Sequence, residues 1–291
     1  MTDRGSRTLD QVLQPFTPVQ FAEMLARRAP LRFPLTDARA RPLLSWQQVI
    51  ELLRSGAVPP ARLQVTRDGD PVPSAFYVAG GKLQLQRLLD LLDRGYSLLI
   101  RHIEQSYPPL DELASDLEAL LGERVRISLV STTGDGGALR RHFDPGDVLA
   151  IQLEGAKRWR IYDQPADHPV PAGPCVERAV DGATELDTVL LGGDRLFVPA
   201  GYWHRCENQE GRSLHISIVF NPMCVQNLVE VIAQKLADDR SCRTPAVRSI
   251  DPAARRAALQ QLKASMLRRI ETMSIEEMAA AFLRDDRPGA E

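Results

Sequence analysis

The chain is most restrictive in what it lacks. None of its 291 residues belongs to a run approaching the roughly 18 uninterrupted apolar residues that a membrane-crossing helix needs. At its start, Met1-Thr2-Asp3-Arg4-Gly5-Ser6-Arg7, no apolar run follows the charges, so no secretory signal is visible. Cysteine is scarce: Cys175, Cys206, Cys224 and Cys242 are scattered, and none forms a CxxC pair. That spacing argues against a disulfide framework or a cysteine-based zinc site and suits reduced thiols in a cytoplasm. A large charge of one sign is missing as well. The formal net charge of −2 argues against a protein built wholly around nucleic-acid phosphates, while leaving room for a local basic surface. There is no internal repeat and no low-complexity tract.

What remains is an ordinary enzyme-like composition, 44% hydrophobic and 25% charged. The length allows one large domain with an appendage, or two modest domains. Periodicity divides the chain into three regions. Residues 1–122 read as helices and short strands that pack on a core. Thr17 caps a helix with Phe21, Met24 and Leu25 on one face, and Ser45 caps another with Val49, Leu52 and Leu53. Leu63-Gln64-Val65-Thr66 reads as a strand, and residues 84–94 and 109–121 show helical spacing.

From Glu123 to Asn221 the period becomes alternating. Val125, Ile127 and Leu129 alternate with Arg126, Ser128 and Val130. Further strands are predicted at 147–154, 157–163, 187–191, 195–198 and 213–220, separated by glycine- and proline-containing turns. Many short strands with such punctuation indicate a mainly β core, a sandwich or barrel, rather than βαβ units. Residues 222–291 turn helical. One apolar stripe runs through Val225, Leu228, Val229, Ile232 and Leu236, a second through Leu259, Leu262, Met266 and Ile270, and Ser274-Ile275-Glu276-Glu277 is a capping-box signature. The prediction is a small helical bundle.

Within the β region lies His142-Phe143-Asp144. Residues two apart on an extended segment point to one face, so His142 and Asp144 can share an ion while Phe143 faces away. A third ligand has to come from the remaining histidines, since the chain has five. His102 and His168 stand in turn-like or helix-flanking surroundings. His204 follows Val198-Pro199-Ala200-Gly201-Tyr202-Trp203, a strand end and turn able to swing an imidazole into a barrel mouth. His215 lies within a strand and reads as a supporting or packed core histidine. Two imidazoles and a carboxylate cover one face of octahedral iron(II) and leave three positions open, which suits oxygen chemistry. Zinc is the formal alternative for this donor set. Lys157 shares a face with Trp159 and Ile161. An ammonium on an apolar inward face is costly unless a carboxylate pairs with it, and a dicarboxylate cosubstrate would supply one.

Two segments carry a family resemblance. His142-Phe143-Asp144-Pro145-Gly146-Asp147-Val148, continuing through Leu153-Glu154-Gly155-Ala156-Lys157-Arg158-Trp159-Arg160-Ile161-Tyr162, resembles the JmjC-type, cupin-like 2-oxoglutarate oxygenases, in particular the branch of ribosomal-protein hydroxylases. Gly193-Asp194-Arg195-Leu196-Phe197-Val198-Pro199-Ala200-Gly201-Tyr202-Trp203-His204 is similar to the second metal-ligand segment of that family. The motif-level likeness spans 123–221.

The resemblance implies a double-stranded β-helix holding iron(II) through His142, Asp144 and His204. It places Lys157 on the distal carboxylate of 2-oxoglutarate, with Ser131 and Thr133 as hydroxyl helpers. The implied reaction consumes O2 and 2-oxoglutarate to hydroxylate a side chain of a protein or peptide. A ribosomal protein is the first candidate substrate and a natural-product precursor peptide the second. Competing readings are a non-catalytic metal-binding cupin, acting as a sensor or interaction module, and a JmjC N-demethylase. The family's helical tail implies a homodimer. Residues 240–269 carry Arg240, Arg243, Arg248, Arg255, Arg256, Lys263, Arg268 and Arg269 against Asp251 alone. That stretch is a solvated helix face or a contact for RNA or the ribosome.

Overall fold

A computed structural model describes residues 4–34, 42–67, 69–134, 140–165, 183–238 and 250–283, together with residues 240 and 243. The chain divides into two compact units: 1–121 with 125–221, and 122–124 with 222–291. Among the described residues, no helix is long and apolar enough to cross a membrane.

The first unit begins with helices α1 (Arg4–Leu13) and α2 (Pro18–Ala26), strand β1 (Leu31–Phe33) and helix α3 (Trp46–Ser55). Thr17 and Ser45 each form a capping box, with Gln20 and Gln48 respectively. Each reciprocal pair satisfies two backbone N–H groups that a helix start leaves open. Helix α2 buries Phe21, Met24 and Leu25, the predicted face. Helix α3 buries Val49, Ile50 and Leu53, with Leu52 only partly covered. Strands β2 (Leu63–Arg67), β3 (Asp70–Pro71), β4 (Val78–Ala79) and β5 (Lys82–Leu83) follow. After them come α4 (Leu85–Asp93), β6 (Ser97–Ile100) and α5 (Pro108–Leu121).

The predicted β region consists of β7 (Arg124–Thr133), β8 (Asp147–Pro165), β9 (Thr184–Leu191), β10 (Arg195–Val198) and β11 (Tyr202–Asn221). One sheet runs β1-β10-β8-β11-β7-β6-β2-β3, with β9 also on β8. The predicted strands 147–154 and 157–163 are a single strand bent at Gly155. Its φ is +70°, and a Cβ there would stand 2.1 Å from the Arg212 carbonyl oxygen, so only glycine fits. On one side of this bend β8 pairs with β10, through Val148–Ile151; on the other it pairs with β9, through Ala156–Tyr162. Strand β11 pairs antiparallel along most of β8, shifting register at four places. Such shifts curve long strands, as in a cupin-like core.

Strand alternation then sorts side chains into two apolar cores. Val125, Ile127, Leu129, Leu149, Ile151, Ile216 and Ile218 belong to the larger one, together with the N-terminal helices. Val148, Ala150, Trp159, Ile161, Leu190, Leu196 and Val198 form a smaller one on the opposite face. Fully burying each large apolar side chain contributes roughly 1.5–3 kcal/mol. The smaller core is the floor on which the candidate site stands.

The second unit holds α6 (Val225–Asp238), α7 (Pro252–Thr272) and α8 (Ile275–Leu283). Asp251 caps α7 by accepting from the N–H groups of Ala253 and Ala254 at 3.0 and 3.3 Å. Ser274 caps α8 by accepting from Glu277 N–H at 3.0 Å. The Arg124 guanidinium lies 4.6 Å over the Phe282 ring and donates to the Phe282 carbonyl. The predicted stripes are only partly inward. Val231, Ala258, Met273 and Phe282 are buried, whereas Val225, Val229, Leu259, Leu262 and Met266 are exposed. In α7 Leu259, Leu262 and Met266 share one face by their spacing, and that face is left uncovered.

Candidate functional site: a His/Asp/His centre beside a buried lysine

His142 and His204 meet through backbone first. Each donates its N–H to the other's carbonyl, at 3.0 and 2.7 Å, which aligns the two segments as one bridge. The turn before His204 is fixed at three points. Tyr202 N–H closes on the Pro199 carbonyl at 3.2 Å and Gly201 N–H donates to the Asp144 carbonyl at 3.0 Å. Ala200 N–H donates to Asp147 Oδ1 at 2.7 Å. Gly201 supplies the positive φ of +84° that such a turn requires. Phe143 faces away and packs edge-on against Trp203 at 5.0 Å.

The geometry also settles the imidazole tautomers. His142 Nδ1 lies 2.8 Å from the Arg140 carbonyl, and His204 Nδ1 lies 3.0 Å from the Tyr202 carbonyl. A carbonyl can only accept, so each Nδ1 carries the proton and each Nε2 presents a lone pair. The ligand atoms of His142, Asp144 and His204 lie within 4.8 Å of one another. His204 Nε2 and Asp144 Oδ2 are 3.5 Å apart. Two lone pairs and a carboxylate converging in this way can hold a cation between them. Burial and the neighbouring His142 push His204 down to about 4, Asp144 opposing them, so a proton is a poor candidate for that cation near neutral pH. The donor set and its tautomers fit a divalent metal with a half-open coordination sphere.

Lys157 lies on the same inward face of β8 as Trp159 and is fully buried. Its Nζ donates to Thr132 Oγ1 at 3.1 Å and lies 3.3 Å from His215 Nδ1. Among the described residues, no carboxylate stands within ion-pair distance of it. Burial lowers its pKa to about 8. Trp159 joins the two groups: its ring stacks on His204 at 5.7 Å and meets His215 edge-on at 5.6 Å. The indole Nε1 is buried with no hydrogen-bond partner.

The hydroxyl assignment needs correction. Thr133 turns its Oγ1 to the carbonyls of Leu92 and Tyr96, away from Lys157. Ser131 is buried with its Oγ unpartnered, on the strand face it shares with Ile127 and Leu129. The hydroxyl that reaches Lys157 belongs to Thr132, which also accepts from Ser97 at 3.3 Å. Alternation carried on from Val125, Ile127 and Leu129 puts Ser131 and Thr133 on the helix side and Thr132 on the other, so the signal was in the sequence. His215 was noticed there, but its bond to Lys157 depends on a cross-strand register that one sequence does not reveal. His102 stands elsewhere, beside Glu104 at 3.3 Å. His168, Cys175 and Cys242 lie outside the described residues, while Cys206 and Cys224 are free thiols. Burial pushes the Cys206 thiol up to about 12, with Lys157 opposing.

Known proteins resemble this chain in sequence and in fold. Residues 102–228 match the family model of the JmjC domain. Over 230 residues the chain is 26% identical to the bifunctional lysine-specific demethylase and histidyl-hydroxylase NO66 of Drosophila pseudoobscura pseudoobscura, covering 78% of this chain and 24% of that protein. It is 30% identical to ribosomal oxygenase 2 of Rattus norvegicus over 147 residues, covering 47% and 30% of the two chains. The chain thus spans 24% and 30% of the length of these two curated relatives. Among solved structures, E. coli ycfD superposes with a TM-score of 0.62 at 18% identity, over 92% of this chain and 70% of that one. The ribosomal oxygenase YcfD from Escherichia coli in complex with cobalt and 2-oxoglutarate superposes with a TM-score of 0.57, also at 18% identity, over 88% and 68%. Likeness at that identity establishes the fold.

Proposed function

We propose that this chain, whose residues 102–228 match the family model of the JmjC domain, is an iron(II)- and 2-oxoglutarate-dependent oxygenase that hydroxylates a side chain of a protein or peptide. The observation that carries this reading is the pairing of the His142/Asp144/His204 centre with a buried, carboxylate-free Lys157, bridged by Trp159. A metal site alone would serve a sensor. A metal site next to an uncompensated buried cation calls for an anion that spans both.

In this reading iron(II), with 2-oxoglutarate and O2, supplies the oxidising chemistry when bound. The chain's own residues do the rest. His142 and His204 present Nε2 because backbone carbonyls hold their Nδ1 protons, and Asp144 adds the negative charge that offsets a divalent ion. Lys157 receives the distal carboxylate of the cosubstrate; a hydrogen bond to a charged group is worth about 1.5–3 kcal/mol. Thr132 holds the ammonium in place, and the buried faces of Trp159 and Ile161 keep water from its flank.

A ribosomal protein is the first candidate substrate, because several curated relatives are named as ribosomal oxygenases; a precursor peptide is the second. One relative's name couples histidyl hydroxylation to lysine demethylation, so demethylation is the alternative outcome at the same metal. A cytoplasmic homodimer through the C-terminal helices is part of the proposal. It is supported by the exposed Leu259, Leu262 and Met266 on α7. The exposed Arg255, Arg256 and Arg268 of that helix suit an RNA or ribosomal contact.

The test is incubation with iron(II), 2-oxoglutarate and host lysate, read by mass spectrometry of peptides. Gain of one oxygen is expected. Loss of a methyl group would move the assignment to demethylation, and neither change would favour the non-catalytic cupin.

A further inference from the structure

Lys157 has three N–H donors, and the structure shows where two of them go. One meets Thr132 Oγ1 on β7 and another meets His215 Nδ1 on β11, while Lys157 itself rises from β8. Both acceptors are side chains. An ammonium bound to two neutral acceptors keeps its full charge and one remaining donor, which together define a single direction of approach for an anion. A carboxylate in either position would have neutralised the lysine and closed that approach. The contact also dictates the state of the imidazole: Nδ1 accepts from an ammonium only when His215 is neutral and carries its proton on Nε2. Burial at 3% exposure favours that neutral form. Trp159, edge-on at 5.6 Å, limits rotation of the ring.

We propose that His215 is a positioning residue for the cosubstrate: as a neutral acceptor clamped by Trp159, it aims the Lys157 ammonium at the distal carboxylate of a dicarboxylate without cancelling its charge. This rests on the oxygenase reading above. It assigns to His215 a role that its place within an apolar-flanked strand would otherwise leave to simple core packing.

The two ideas separate on a pair of isosteric variants. His215→Gln keeps a neutral acceptor near Nζ. His215→Glu offers a carboxylate of the same size, which pairs with Lys157 and occupies its charge. Binding is read without turnover, by calorimetric titration of 2-oxoglutarate into cobalt(II)-loaded protein. The wild type should bind, His215→Gln should bind within several-fold of it, and His215→Glu should weaken binding at least about a hundredfold, in keeping with the 2–5 kcal/mol typical of a disrupted buried charge contact. Circular dichroism on the same samples confirms that both variants fold. As a second readout, 15N spectra of ring-labelled histidine should show one buried imidazole protonated at Nε2 and bare at Nδ1, with that signal shifted in Lys157→Met. Equal affinity for His215→Gln and His215→Glu, or a His215 ring protonated at Nδ1, would overturn the positioning role and leave the oxygenase reading intact. Failure of the cobalt(II)-loaded wild type to bind 2-oxoglutarate would overturn both.

Discussion

The β core and the helices after Pro222 treat their apolar residues differently. In the first half of β8 Leu149 and Ile151 enter one core and Val148 and Ala150 enter the other, so all four are buried. In α7 the three largest residues of the predicted stripe, Leu259, Leu262 and Met266, are 63%, 38% and 42% exposed. A strand with a core on each side meets neighbours on both faces. A helix in a small unit meets them on one, and what it leaves uncovered is available to something else. The contrast separates a core that holds the candidate site from helices whose apolar residues stay uncovered.

The sharpest way to break this contrast is at the metal ligands. His142→Ala should abolish 2-oxoglutarate turnover while circular dichroism and the melting transition stay close to wild type. Partial activity in that variant would show that the three residues are not a unit.

Lys157 comes next. Lys157→Ala should raise the 2-oxoglutarate requirement about ten- to a hundredfold, the equivalent of losing one charged hydrogen bond. The wild type should carry a pH signature as well. Burial lowers Lys157 to about 8, so below that value the group is charged and anion affinity is flat. Above it the lysine loses its proton, and affinity should fall roughly tenfold per pH unit. For stability the sign is opposite: between about 8 and 10.5 the unfolded chain holds more protons than the folded one. This group's contribution therefore rises with pH across that window. Titrations of 2-oxoglutarate binding from pH 7 to 9.5 check the first statement.

Stability separates the regions more gently. Ile127 is fully buried, and Ile127→Ala should cost about 2–5 kcal/mol in urea unfolding. Leu259→Ala should change the intrinsic stability by less than about 0.5 kcal/mol. If the helices pair two copies, Leu259→Glu should instead halve the mass seen by sedimentation while turnover continues. A destabilised monomeric core in that variant would erase the distinction.

The smallest expected effect lies on a single strand. Thr132→Val should raise the 2-oxoglutarate requirement by a few-fold, since a typical hydrogen bond is worth about 0.5–1.5 kcal/mol. Thr133→Val should leave that requirement alone and lower the melting temperature, because its hydroxyl serves the carbonyls of Leu92 and Tyr96.

Much of the core was legible because its signals are local. Cap residues at Thr17 and Ser45 mark their helices, alternation marks the strands, and a His-x-Asp spacing puts two donors on one face. The bend at Gly155 looks in sequence like a gap between two strands, because a glycine with no room for a Cβ is indistinguishable there from one in a turn. Parity along β7 separates Thr132 from Ser131 and Thr133, the two hydroxyls that the family resemblance implies. The contact between Lys157 and His215 was not recoverable, since it depends on register shifts within β11. In the helices the apolar residues were found, but a stripe does not say whether its cover lies within the chain.

The most direct test of the central claim is succinate formation from 2-oxoglutarate by purified protein, with and without iron(II), in the wild type and in His204→Ala. The account predicts turnover that needs iron(II), stops on chelation and is lost in the variant. Undiminished turnover by His204→Ala, or none by the iron(II)-loaded wild type, would contradict it.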